Sequence, residues 1–167
     1  IPADHLIGGI EGQGFYQATG GLELGRINVA ARGVGIAEGA LQLATSYAQI
    51  RRTFGKPIAE HQAIQLKIGE MVTRARAARL LTLDAASAFD RGERCDLQAG
   101  MAKYFSSEAA LENGIESMRI HGAYGYSKEY DIERLDRDAP LTCIGEGTNE
   151  MQRIIIARQW VKRNAIS

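Results

Sequence analysis

A glutamate set between two glycines, Gly145-Glu146-Gly147, is the arrangement in this chain best suited to proton transfer. Its carboxylate can act as a base, and flanking glycines leave the backbone N–H open to a ligand. The segment runs on as Thr148-Asn149-Glu150 and also reads as a helix start, with Thr148 as N-cap and Glu146 at the positive end of the helix dipole. A second cluster, Arg51-Arg52-Thr53-Phe54-Gly55-Lys56-Pro57-Ile58 followed by His61-Gln62, combines three cations, a hydroxyl and a glycine turn. Phosphate oxygens need such N–H and O–H donors, although a solvated helix C-terminus collects cations as well. A third segment, Arg119-Ile120-His121-Gly122-Ala123-Tyr124-Gly125-Tyr126, suits either a tight loop beside a ligand or a structural turn. A fourth, Glu23-Leu24-Gly25-Arg26, puts a cation near a helix start. The glycines of Gly33-Val34-Gly35 look like the opening of a dinucleotide fingerprint. No strand precedes them and the third glycine, Gly39, comes one position late, so helix packing is the better reading.

These residues must be held by helices. The chain has 167 residues, 45% of them hydrophobic, with only three prolines to interrupt long helices. The pattern turns helical from about Phe15, with a break invited at Gly20-Gly21. Beyond Arg26, the residues Ala30, Gly33, Val34, Ala37, Leu41, Ala44 and Ala48 recur at helical spacing. This face is small enough for another helix to approach closely, and the segment from Thr53 to Ile58 ends it in a loop. A second helix is expected from Glu60 to Asp90, with Ile64, Ile68, Met71, Val72, Ala75 and Ala78 inward. A third is expected from Asp96 to Gly122, with Leu97, Met101, Tyr104, Leu111, Ile115 and Met118 inward. The stretch from Tyr124 to Pro140 has room for one short helix. The last helix begins near Thr148 and carries Met151, Ile154, Ile155 and Val161. The sum is an all-α, four-helix bundle.

Composition narrows the function classes. Lys plus Arg and Asp plus Glu number 20 each, which argues against a general nucleic-acid surface. Cys95 and Cys143 form no ligand or disulfide pattern, so no metal is expected and a reducing compartment is the default. No apolar run is long enough to span a bilayer. The abrupt start at Ile1-Pro2-Ala3, without Met, suggests a piece of a longer protein.

Taken in order, the segments resemble the C-terminal domain of acyl-CoA dehydrogenases. Tyr47-Ala48-x-x-Arg51-x-x-Phe54-Gly55 with His61-Gln62 is similar to one family signature, and Glu146-Gly147-Thr148-Asn149-Glu150-x-Gln152-Arg153 to another. Gly12-Gln13-Gly14-Phe15 resembles the junction with the family's middle domain. The resemblance implies that residues 1–14 end the middle β domain and connect it to a helical bundle at 15–167, the N-terminal helical domain and most of the β domain being absent.

It also implies FAD-dependent α,β-dehydrogenation of an acyl-CoA thioester. Glu146 would abstract the α-proton while hydride passes to flavin N5. Arg51 and Thr53 would meet the pyrophosphate of a neighbouring subunit's FAD, with Gln62, Arg119, Gly122 and Ala123 on the adenosine side and Phe54 also among the cofactor-binding residues. Thr148 and Glu150 would contact FAD held by their own subunit. Glu23, Arg26 and Gly147 would lie against the acyl-CoA. Some relatives carry the base immediately before Arg26, where this chain has Gly25. Several straight-chain enzymes have Tyr where Gly145 stands, which points to a wider acyl pocket here. Partners implied are acyl-CoA, a homodimer or homotetramer, and an electron-transfer flavoprotein, in a bacterial cytoplasm or alternatively the mitochondrial matrix. Two other readings are an oxygen-using acyl-CoA oxidase-like flavoenzyme and a non-enzymatic helical interaction domain.

Overall fold

The computed structural model describes residues 2–166. Six helices follow one another: α1 (Gly14–Gly20), α2 (Leu22–Ile50), α3 (Gln62–Asp90), α4 (Asp96–His121), α5 (Ile132–Ile144) and α6 (Asn149–Arg163). Two-residue strands β1 (Arg52–Thr53) and β2 (Lys56–Pro57) form an antiparallel hairpin between α2 and α3. The architecture is all-α and a helical bundle, as the sequence pattern predicts. The glycine-rich start, which the resemblance assigns to the end of the middle β domain and its connection, forms short 3-10 turns at Ala3–His5 and Ile7–Gly9. Gly8, Gly9 and Gly12 all adopt positive φ, which breaks an extended path.

Small residues set the geometry of the bundle. At one end Ile27 and Ala30 of α2 pack with Ala85 and Ala88 of α3 and with Ala99 and Ala102 of α4. Mid-bundle, Val34 and Ala37 meet Ala75, Ala78 and Ala109. At the other end Ala44 and Ala48 meet Ile58, Met71 and Ile120. Numbers fall along α3 and rise along α4 as they rise along α2, so α3 runs antiparallel and α4 parallel to α2. Gly33 is where α2 crosses α4: a Cβ there would lie 2.8 Å from the Ser106 backbone. That contact explains the fingerprint-like glycine as a packing residue. Asn113 joins three helices by donating from its buried amide to Ala37 O at 3.2 Å and Met71 O at 3.0 Å.

Two expected faces are corrected. α4 packs against α2, α3, α5 and α6. Its buried residues are therefore small or polar, among them Ala99, Gly100, Lys103, Ser106, Ser107, Ala110 and Asn113. Of the large residues expected inward, Leu97 is buried, whereas Ile115 is 38% exposed. In α6 the buried positions are Asn149 and Gln152, while Met151, Ile154 and Val161 are exposed. Val72 on α3 likewise faces out. The stretch expected to hold one short helix contains the 13-residue α5, which continues through Pro140 to Ile144.

Candidate functional site

The turn between α5 and α6 is built around Glu146. Its φ is 55°, and Gly147 follows at 89°. Two successive left-handed residues reverse the chain tightly, at a cost of roughly 1 kcal/mol or more for the non-glycine one. Among the described residues only one other non-glycine residue has positive φ, Phe54 at 49°, and it too lies in a segment singled out for chemistry.

Both flanks of the turn are anchored. α5 ends with Gly145 N–H donating to Leu141 O at 2.9 Å. α6 starts with Thr148 as N-cap, its hydroxyl accepting from Met151 N–H, as expected. Gln152, with no exposed surface, donates its amide to Glu146 O at 3.1 Å and Gly147 O at 3.0 Å. Gly147 has a φ of 89°, which strains any side chain, and a Cβ there would also push the Gln152 amide from 2.8 Å. Among the described residues no hydrogen bond of the fold uses the Glu146 N–H. It is left as a donor for something else.

The Glu146 carboxylate lies over Gly25 on α2. A Cβ at Gly25 would be 2.6 Å from Glu146 Oε2 and 2.9 Å from its Cδ. Gly145 and Glu146 border a groove of about 630 Å³ whose walls include Val29, Ile36, Leu135, Leu141 and Thr142. Nothing crowds Gly145, since its Cβ would meet only Leu141 O, at 3.5 Å.

Another groove, of about 930 Å³, is lined by Glu23 and Arg26 together with Tyr16, Arg94, Asp96 and Arg158. Arg26 is 7% exposed; its Nη1 is 3.9 Å from Asp96 Oδ1 and its Nε has no partner. The Cys95 thiol donates to Glu23 Oε2 at 3.3 Å. Burial, followed by that carboxylate, pushes the thiol up to about 11. Glu23 is thus engaged away from Glu146.

The cationic segments converge at the other end of the bundle. Arg51 and Thr53 line a groove of about 380 Å³ with Arg119, Gly122 and Ala123. Thr53 Oγ1 and His61 Nε2 are 2.9 Å apart. His121 is buried, holds Ser117 O through Nδ1 at 2.7 Å and stacks on Tyr47, so it packs this end. Arg119 pairs with Glu116, which also takes Lys67. Phe54 projects into solvent, 97% exposed at the tip of the hairpin. Gln62 lies outside this groove, on a shallow surface along α3 with Gln65 and Leu66. Glu150 is exposed and pairs with Arg153.

A network under the Glu146 turn escaped the sequence reading. Lys103, fully buried in α4, donates to Cys143 O at 2.9 Å and Asn149 Oδ1 at 2.7 Å. Ser107 also donates to Asn149 Oδ1, and Asn149 donates to Glu108 Oε1 at 2.7 Å. The signal was a lysine in register with Gly100, Ser107 and Ala110, where a solvated lysine does not belong.

A protein-family profile described as "Acyl-CoA dehydrogenase, C-terminal domain" matches residues 12–161. The chain belongs to the acyl-CoA dehydrogenase family. It is 49% identical over 158 residues to an acyl-CoA dehydrogenase of Bacillus subtilis (strain 168), covering 95% of this chain and 41% of the relative. It is 47% identical over 150 residues to 3-(aryl)acrylate reductase of Clostridium sporogenes, covering 90% and 40%. The solved structure of butyryl-CoA dehydrogenase from Megasphaera elsdenii superposes with a TM-score of 0.89 at 41% identity, over 92% of this chain and 40% of that one. The chain therefore spans about two fifths of the length of the relatives it matches.

Proposed function

We propose that the protein containing this chain is an FAD-dependent acyl-CoA dehydrogenase in which Glu146 removes the α-proton of the thioester. The observation that carries this reading is the Glu146 turn. A carboxylate on a positive-φ backbone lies against a glycine at the edge of a groove walled mainly by apolar residues, with Arg32 and Asp138 also lining it, and its own N–H is unclaimed. An acyl chain in that groove would exclude water and make the carboxylate a stronger base. The free N–H is suited to the thioester oxygen, where charge develops as the proton leaves. The open space at Gly145 suits a branched or ring-bearing acyl group, in keeping with the aryl substrate in the name of one relative. Because that relative is named a reductase, Glu146 would serve equally as the acid when the same reaction runs in reverse.

The residues present fit FAD. Arg51, the Thr53 hydroxyl and the left-handed Gly122 bring a cation, a hydroxyl and open backbone to one groove, as a dinucleotide's phosphates require, with Arg119, paired to Glu116, beside them on the adenosine side. When bound, FAD supplies the acceptor for the β-hydrogen as hydride. Phe54 would extend from the hairpin toward a neighbouring subunit's cofactor, with Ala123 in the groove and Gln62 reaching it from the adjoining surface of α3. Thr148 and Glu150 would contact the cofactor of their own subunit. Glu23, Arg26 and Gly147 would hold the acyl-CoA. This arrangement makes the protein a homodimer or homotetramer, with an electron-transfer flavoprotein as redox partner in a bacterial cytoplasm. Among the described residues no helix is long and apolar enough to cross a membrane.

The test is Glu146→Gln in the full-length protein. Gln keeps the volume and the backbone N–H but cannot take the proton. Flavin reduction by acyl-CoA in a single turnover is expected to fall by about 10²–10⁴-fold or more, with FAD content and melting temperature unchanged. Reduction near the parent rate removes Glu146 as the base.

A further inference from the structure

We propose that Lys103 is a positioning residue for the Glu146 turn: its buried ammonium ties the end of α5 to the start of α6 and so fixes where the carboxylate stands. The inference rests on Glu146 being the base.

Lys103 has no exposed surface, and it is the largest of the fully buried side chains. Two of its hydrogen bonds fall on opposite sides of the turn. Cys143 O belongs to the last turn of α5, where helix carbonyls have no partner within the helix. Asn149 Oδ1 belongs to the first residue of α6. One cation therefore spans the five residues between, Ile144 to Thr148. Asn149 is itself held by Ser107 and Glu108, which belong to α4 like Lys103. The whole network is thus referred to the most enclosed helix of the bundle.

Energetics separates this from ordinary packing. Burial pulls the lysine below its usual range, opposed by the nearby Cys143, Glu108 and Glu150. A buried charge costs stability unless fully paired, and a well-packed apolar residue often replaces it at no loss. Apolar contact alone does not require lysine here. A hydrogen-bond donor long enough to reach both flanks of a strained turn does. Gln152 pins the middle of the turn from α6, but α6 is only as well placed as its first residue. Displacing a catalytic group by about 1 Å costs about a hundredfold in rate.

The experiment compares Lys103→Met and Asn149→Ala in the full-length protein with the parent and with Glu146→Gln. Met preserves length and apolar contact while removing both hydrogen bonds; Ala removes the α6 anchor alone. FAD content and the dissociation constant for the enoyl-CoA product, read from the flavin spectrum, are expected to stay within about threefold of the parent. The limiting rate of flavin reduction is expected to fall by about 10- to 100-fold for Met and less for Ala. Hydrogen–deuterium exchange should rise in peptides covering residues 143–149 and not in those covering α2. If the Met variant does not accumulate, the Ala variant decides by the same readouts. A limiting rate within twofold of the parent, or unchanged exchange across 143–149, overturns the proposal. An inactive Glu146→Gln beside fully active network variants sinks this inference alone. A normally active Glu146→Gln sinks the assignment of the base.

Discussion

Replacing Gly25 by Ala should separate stability from catalysis. Gly25 lies in the first turns of α2, and its new methyl carbon would sit 2.6 Å from Glu146 Oε2 and 2.9 Å from its Cδ. Ordinary contact begins at 3.4 Å, so the carboxylate must retreat from 2.6 to 3.4 Å, about 0.8 Å. The atom that moves ends a flexible, exposed side chain, so the fold loses little. Ala in a helix interior is better than Gly by about 0.5–1 kcal/mol, and the melting temperature should hold or rise. Catalysis should move the other way. A displacement approaching 1 Å corresponds to about a hundredfold, or close to 3 kcal/mol of barrier. The assay is anaerobic stopped-flow reduction of the full-length variant's flavin by saturating acyl-CoA, with FAD content and thermal unfolding measured on the same sample. Parent-rate reduction by a variant of normal flavin content would refute the reasoning, because the space above Gly25 would then not locate the carboxylate.

Three further outcomes are expected. Gly33→Ala should destabilise the full-length protein by about 1–3 kcal/mol, because its Cβ meets the Ser106 backbone at 2.8 Å and a backbone cannot swing aside. Gly69→Ala, facing open space on α3, should not destabilise; thermal unfolding of both variants decides, and equal behaviour counts against the crossing geometry. Cys95, buried and raised to about 11, should resist iodoacetamide at pH 7.5 in the folded protein, since under roughly one thiol in a thousand is ionised. Mass spectrometry showing alkylation as fast as in unfolded chain contradicts this. Asp136, whose buried Oδ1 has no partner, is raised by desolvation. The folded state then binds more protons than the unfolded state just above the usual carboxylate range. Its contribution is full below the unfolded value and is lost as pH rises through the folded one. Asp136→Asn should raise the melting temperature at pH 7 and flatten its dependence on pH across that window; a lower melting temperature at pH 7 would contradict it.

Much of this protein is decided by the chain within a turn or two of each residue. Helical periodicity in Ala30, Gly33, Val34 and Ala37 defines the buried stripe of α2 because a helix returns to the same face every three or four residues. Thr148 starts α6 through its own hydroxyl, and the turn at Gly145-Glu146-Gly147 is announced by its glycines. The cationic segments around Arg51 and Arg119 were legible as separate pieces for the same reason. What local pattern does not contain is which elements become neighbours. The spacing rule looked for large apolar residues on α4, but a helix enclosed by four others has room mainly for small ones, and so Ala, Gly and Ser mark its core face. Lys103 stands among the small residues of the α4 core face, but its partners exist only once α5 and α6 close over it and offer two oxygens within 3 Å. The resemblance marks Gly25 only as a position without a base; that the Glu146 carboxylate, far along the chain, comes against it is decided by the fold. Sequence determines the shapes of the pieces through short-range sterics and hydrogen bonds. Only the tertiary structure determines which surfaces lose their water to one another, and that choice places the carboxylate, its buried anchor and the groove beside it.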